Sequence, residues 1–177
     1  LEGTKSLSGR TLKDGEFTFE VKDKAGKVVA TGSNKSDGSI SFNNKLNYKL
    51  SDLEKADGSY ESEKTYEYTV NEVIPEGATA ENNYTVNGVT YDSKTVNVKV
   101  TVTYNKETGE LKAELAKDSE AIAFQNSYDT ETSIGLEGTK SLSGRTLKDG
   151  EFTFEVKDKA GKVVATGSNK SDGSISF

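Results

Sequence analysis

Apolar and polar residues alternate with a period of two along most of this chain. Phe17, Phe19 and Val21 alternate with Thr18 and Glu20, and Tyr66, Tyr68 and Val70 with Glu67 and Thr69. The longest run places Val96, Val98, Val100, Val102 and Tyr104 on one face and Lys99, Thr101 and Thr103 on the other. Shorter runs cover Lys27 to Thr31, Ile40 and Phe42, Leu46 with Tyr48 and Leu50, Ala113 to Ala116, and Ala121 to Tyr128. Successive side chains of a strand point to opposite faces, so this period predicts half-buried antiparallel strands. Only Lys49 to Ala56 suggests helix, as one short turn in a crossover.

Turn signals separate the runs: Asp14-Gly15, Asp37-Gly38, Asp57-Gly58, Asn87-Gly88 and Thr108-Gly109. Asp-Gly and Asn-Gly pairs supply the positive φ that hairpin turns require. Short strands with regular turns predict an all-β, Ig-like antiparallel β-sandwich. The 32% of hydrophobic residues falls below the ~45–50% usual for globular chains, glycine allowed for. A thin, two-layer core is therefore expected.

Residues Leu1 to Phe42 recur without change as Leu136 to Phe177, an offset of 135 residues. That period has the size of a whole domain rather than of a solenoid repeat, on the order of 20–50 residues. It predicts a tandem repeat: a complete module over 1–128, a polar linker over 129–135, and the incomplete N-terminal part of an identical module over 136–177. The chain is expected to be a piece of a longer array. Residues 136–177 are expected to be disordered, or ordered only by strands borrowed from another chain, because Phe152, Phe154 and Val156 lack partners to bury them.

Composition removes several kinds of chemistry. There is no Cys, His, Met or Trp. Disulfides, thiol nucleophiles, Ser-His pairs and the usual zinc sites are thus excluded. No metal and no cofactor is expected; the Asp-rich turns lack EF-hand spacing. The net charge of −6 argues against nucleic-acid partners, which call for basic patches. No run is apolar enough to suggest membrane insertion within this segment. Sequons begin at Asn34, Asn83 and Asn169, a pattern frequent by chance.

Strand phase singles out three polar residues. Glu72 is the next inward position after Tyr66, Tyr68 and Val70. Asn126 follows Ile122 and Phe124 on one face, and Lys5 follows Leu1 and Gly3. Any one of them could lie at a wet strand end, as Lys94 does in phase with Val96. Burying an unpaired charge costs several kcal/mol, so three such residues should meet. They could form an ion pair bridged by Asn. They could also react. Desolvation lowers a Lys pKa and raises a Glu pKa. A neutral amine is a nucleophile, and a neutral carboxyl can polarise the Asn amide and pass a proton to departing ammonia. The product is an amide from Lys Nζ to Asn Cγ, formed once per molecule.

These stretches resemble the isopeptide-linkage domain of Gram-positive pilins and surface adhesins, related to the Cna B-type fold. The resemblance rests on Thr4-Lys5-Ser6-Leu7 with Gly15-Glu16-Phe17-Thr18-Phe19, then Tyr66 to Glu72, Tyr91-Asp92 leading into Val96-x-Val98-x-Val100, and Phe124-Gln125-Asn126-Ser127-Tyr128. It spans nearly all of residues 1–130. It implies a crosslink between Lys5 and Asn126 with Glu72 catalysing, and an extracellular place on a Gram-positive cell wall. The single proline, Pro75, supplies neither a sortase-type signal nor a pilin-polymerisation motif, which favours an adhesin stalk repeat over a backbone pilin. Lys140 is the second-copy lysine, expected to stay unpaired because its copy reaches no Glu or Asn partner. The identical repeat leaves a second register open, Asn126 with Lys140; the position of the polar linker favours Lys5.

Three functions compete at this point. The first is a structural spacer whose partners are neighbouring repeats of the same protein, with no enzymatic turnover beyond its own crosslinking. The second is a ligand-binding adhesin domain in which Lys5, Glu72 and Asn126 form a non-covalent cluster. The turns are too short and polar to suggest its ligand surface. The third is a hydrolase with paired carboxylates, for which no convergent motif is present.

Overall fold

The computed structural model describes residues 1–177 in two compact units, Leu1–Thr130 and Glu131–Phe177. Unit 1 holds β1 (Gly3–Ser8), β2 (Thr18–Asp23), β3 (Val28–Asn34), β4 (Ser39–Phe42), β5 (Glu63–Glu72), β6 (Thr85–Val86), β7 (Val89–Thr90), β8 (Thr95–Asn105), β9 (Glu110–Leu115) and β10 (Ala123–Tyr128). Two short 3-10 turns, Leu50–Leu53 and Ala80–Asn82, are its only helix. No helix is long and apolar enough to cross a membrane.

The ten strands form one hydrogen-bonded sheet in the order β6-β7-β10-β1-β4-β3-β2-β5-β8-β9. In that order β2 and β10 are four strand spacings apart, about 19 Å in a flat sheet. Yet the rings of Phe19 on β2 and Phe124 on β10 lie 5.1 Å apart. The sheet therefore folds over on itself and packs as a sandwich. Phe19, Val21, Val70, Val96 and Val98 from one layer meet Ile40, Ile122 and Phe124 from the other, all buried. Burying each such side chain stabilises the fold by roughly 1.5–3 kcal/mol. The period-two pattern is cleanest in β8, where Val96, Val98, Val100 and Val102 are buried and their neighbours are not. A second cluster of Leu53, Val100 and Val102 extends this face, with Tyr48 and Tyr68 hydroxyls 2.9 Å apart beside it.

Two details differ from the sequence reading. The alternation at Leu46, Tyr48 and Leu50 is not a strand: Leu46 and Tyr48 lie in irregular chain and Leu50 opens a 3-10 turn. With no strand alongside, Leu46 and Tyr48 instead pack against the second cluster. The sandwich is antiparallel except at one place, where β1 pairs with β10 in parallel, Lys5 opposite Phe124 and Leu7 opposite Asn126.

Unit 2 holds β11 (Glu137–Thr139), β12 (Thr153–Lys157), β13 (Val163–Asn169) and β14 (Ser174–Ser176), in the order β11-β14-β13-β12. This departs from the expectation of disorder for residues 136–177. All its pairings are antiparallel and lie within the segment, and the outer edges of β11 and β12 have no partner strand. What it lacks is burial. Phe17, Phe19 and Val21 are buried in unit 1, whereas Phe152, Phe154 and Val156 are only half-buried.

A candidate isopeptide site

Three strands from distant parts of the sequence deliver the site. Lys5 sits in the middle of β1, Glu72 is the last residue of β5, and Asn126 lies in β10. Their inward phase follows from Val70 before Glu72 and Phe124 before Asn126, both fully buried. The Lys5 backbone is fixed by its N–H bond to Gly38 O at 2.7 Å. Gly38 has φ of +88°, and a Cβ there would stand 2.8 Å from Lys5 O. The turn before β4 can approach β1 so closely only because residue 38 is glycine.

The three residues inferred from strand phase are brought together. They are 3%, 5% and 5% exposed, so solvent cannot solvate them. Lys5 Nζ donates to Glu72 Oε1 at 2.9 Å, and Asn126 Nδ2 donates to the same oxygen at 2.8 Å. One carboxylate oxygen thus touches both the amine and the amide nitrogen. Lys5 Nζ also lies 4.5 Å from the centre of the Phe17 ring and 5.9 Å from that of Phe19. No buried side-chain nitrogen or oxygen lacks a partner.

Burial sets the protonation. It pushes Lys5 below the ordinary lysine range, against the hydrogen bond and charge of Glu72, which act the other way. Burial likewise pushes Glu72 above the usual carboxylate range, opposed by Lys5 and Asn126. Both shifts favour neutral groups. A neutral Lys5 has a lone pair, and a neutral Glu72 has a proton to give.

Sequence reasoning passed over two residues here. The Asp92 backbone N–H donates to Asn126 Oδ1 at 2.9 Å and to Glu72 Oε2 at 3.2 Å. Its carboxylate accepts from Gln125 N–H at 2.9 Å and Lys94 N–H at 3.2 Å. Asn34, noticed only as a sequon, is 2% exposed and ties Phe17 N–H to its Oδ1 at 2.7 Å, beneath the lysine's aromatic bed. Its inward phase with Ala30 on β3 was the available signal. In unit 2, Lys140 Nζ lies 4.4 Å from the centre of the Phe152 ring, and no hydrogen bond or ion pair engages it.

In unit 1 the first and last strands thus lie side by side, with a buried Lys, Glu and Asn at their junction. Residues 1–129 match the family model FctA, described as the Spy0128-like isopeptide containing domain, and the chain belongs to that family. Among solved structures it is similar to the major pilin of Streptococcus pyogenes, with 17% identity, a TM-score of 0.42, and 99% of this chain and 75% of that chain covered. The T-13 major pilin of the same species gives 18% identity and a TM-score of 0.37, covering 99% of this chain and 74% of that one. The Bacillus anthracis TIE protein gives 18% and 0.30, with 98% of this chain covered but 25% of that one. No curated protein matches the chain.

Proposed function

We propose that residues 1–130 are a structural module of a pilus-like or adhesin stalk on a Gram-positive cell surface, anchored through its parent protein to the cell wall. The module closes itself with one amide bond between Lys5 and Asn126. Glu72 is the catalytic group. The observation that carries this reading is the single buried Glu72 oxygen bonded to both reacting nitrogens. Family membership supports it, since the family is described by its isopeptide.

The chemistry balances within the site. Lys5 Nζ attacks Asn126 Cγ, and the carbonyl electrons move onto Oδ1. Glu72 takes a proton from Nζ and gives one to Nδ2. The Cγ–Nδ2 bond breaks, ammonia leaves, and the amide remains. Fixed neighbours react at very high effective molarity, which supplies much of the acceleration. Nothing turns over a second time, so the protein is not an enzyme in the ordinary sense. Its partners are the neighbouring repeats.

Intact-mass measurement of the purified 177-residue chain tests this. The expected mass is lower than that of the sequence by one ammonia. A folded chain with its full sequence mass would leave Lys5, Glu72 and Asn126 as a non-covalent cluster and overturn the proposal.

A further inference from the structure

We propose that the backbone amide of Asp92 is the oxyanion donor for closure of the Lys5–Asn126 bond, and that the Asp92 carboxylate is the positioning group that aims it. This inference rests on the bond-forming reading of the site. When Nζ attacks Cγ, negative charge collects on Asn126 Oδ1. The group already in contact with that atom is the Asp92 N–H, at 2.9 Å. A donor placed before the reaction costs no reorganisation during it, and it binds an anionic oxygen more strongly than a neutral carbonyl. In this buried site its contribution is not diluted by water.

An amide in a loop needs something to hold it. Asp92 lies in irregular chain between β7 and β8. The preceding residue is tied by Tyr91 N–H to Tyr84 O at 2.9 Å. The Asp92 carboxylate then bridges the loop to β10 through Gln125 N–H, the residue just before Asn126. Its other oxygen receives Lys94 N–H, and Lys94 Nζ lies 3.3 Å from the carboxylate. One side chain thus joins the donor loop to the strand that carries the electrophile.

The charge of Asp92 gives a useful sign. Its carboxylate favours protonated Lys5. Removing that charge should help Lys5 become neutral and, on charge alone, hasten closure. If the carboxylate acts by aiming the amide, its removal should slow closure instead.

The test follows ammonia loss by time-resolved intact mass in cell-free translation of the full chain. At position 92 the α-hydroxy acid of aspartate replaces the amide N–H by an ester oxygen and keeps the side chain. Asp92→Ala and Asp92→Asn are run beside it. Melting is measured for the same changes in a Glu72→Gln background, where no bond forms. The expected result is slowing on the order of 100-fold for the ester, the usual effect of losing one oxyanion donor. Asp92→Ala should be slowed comparably, and Asp92→Asn less, because an acceptor oxygen remains. The Glu72→Gln chains should melt within a few degrees of one another. Closure of the ester chain at the parent rate overturns the donor assignment. So does slowing that merely tracks a collapse of the melting temperature, which would make Asp92 structural only. A parent chain that keeps its ammonia sinks the bond-forming reading, and this inference with it.

Discussion

Glu72 occupies an unusual position for a buried carboxyl, because the same oxygen faces the Lys5 amine and the Asn126 amide nitrogen, which on the proposed reading lose and gain a proton in turn. The pH dependence follows from the directions of the two shifts. Glu72 is raised and so keeps its proton to higher pH; Lys5 is lowered and so frees its lone pair at lower pH. Below the productive window both carry protons, and the Lys5 ammonium cannot attack. Above it both have lost them, and Glu72 has nothing to give. Closure should therefore be fastest in a middle range and fall on both sides, as read by ammonia loss against pH. A rate that only rises with pH would show that Glu72 is not the acid. Glu72→Gln should abolish the mass loss, because an amide cannot shuttle a proton in this way. Lys5, Glu72 and Asn126 were legible in the sequence because strand phase alone points them inward. Asp92 was not legible in this way: its contribution is a backbone N–H, and where a loop amide points depends on tertiary contacts that no side-chain pattern records.

The strands were legible to the extent that they are half-buried. β8 shows its burial pattern directly in its letters, whereas Leu46, Tyr48 and Leu50 show the same period without a strand. Alternation reports which side chains seek the core, not whether a neighbouring strand exists to bond the backbone. The parallel pairing of β1 with β10 was equally hidden, because partner choice is set by the folding of the whole sheet. The repeat separates what β1 supplies from what the other strands supply. Lys5 and Lys140 have nearly the same pose over Phe17 and Phe152, at 4.5 and 4.4 Å, and the same 2.7 Å backbone tie to Gly38 and Gly173. Placing the lysine is thus a property of the first four strands. The proposed reaction needs β5 and β10 as well, which carry Glu72 and Asn126. Lys5→Arg should abolish ammonia loss and Lys140→Arg should leave it intact, with tryptic mapping showing Lys5 joined to Asn126. The reverse pattern would assign the bond to the other register.

At the scale of the molecule, a Lys5–Asn126 bond closes a loop of about 120 residues, worth roughly 4–5 kcal/mol by the chain-entropy treatment used for disulfides. Lys5→Ala removes that closure. Losing it should lower the melting temperature by roughly 15 °C in a module of this size. It should also open residues 1–130 to proteases. Glu72→Gln lacks the bond as well, so it should melt far below the parent too. A Lys5→Ala chain that melts with the parent would show that no covalent closure stabilises the fold.

The pairing of the first strand with the last also imposes an order of events. During synthesis β1 is made first and β10 last, so the reacting atoms cannot meet until the module has been completed and folded. On the proposed reading the departure of ammonia is then a one-way step taken only from the finished structure. A chain that never reached that structure keeps its full mass, and one that held it long enough to close does not. Each module on the proposed reading therefore carries a permanent record of its own folding, still readable after the fold has been denatured.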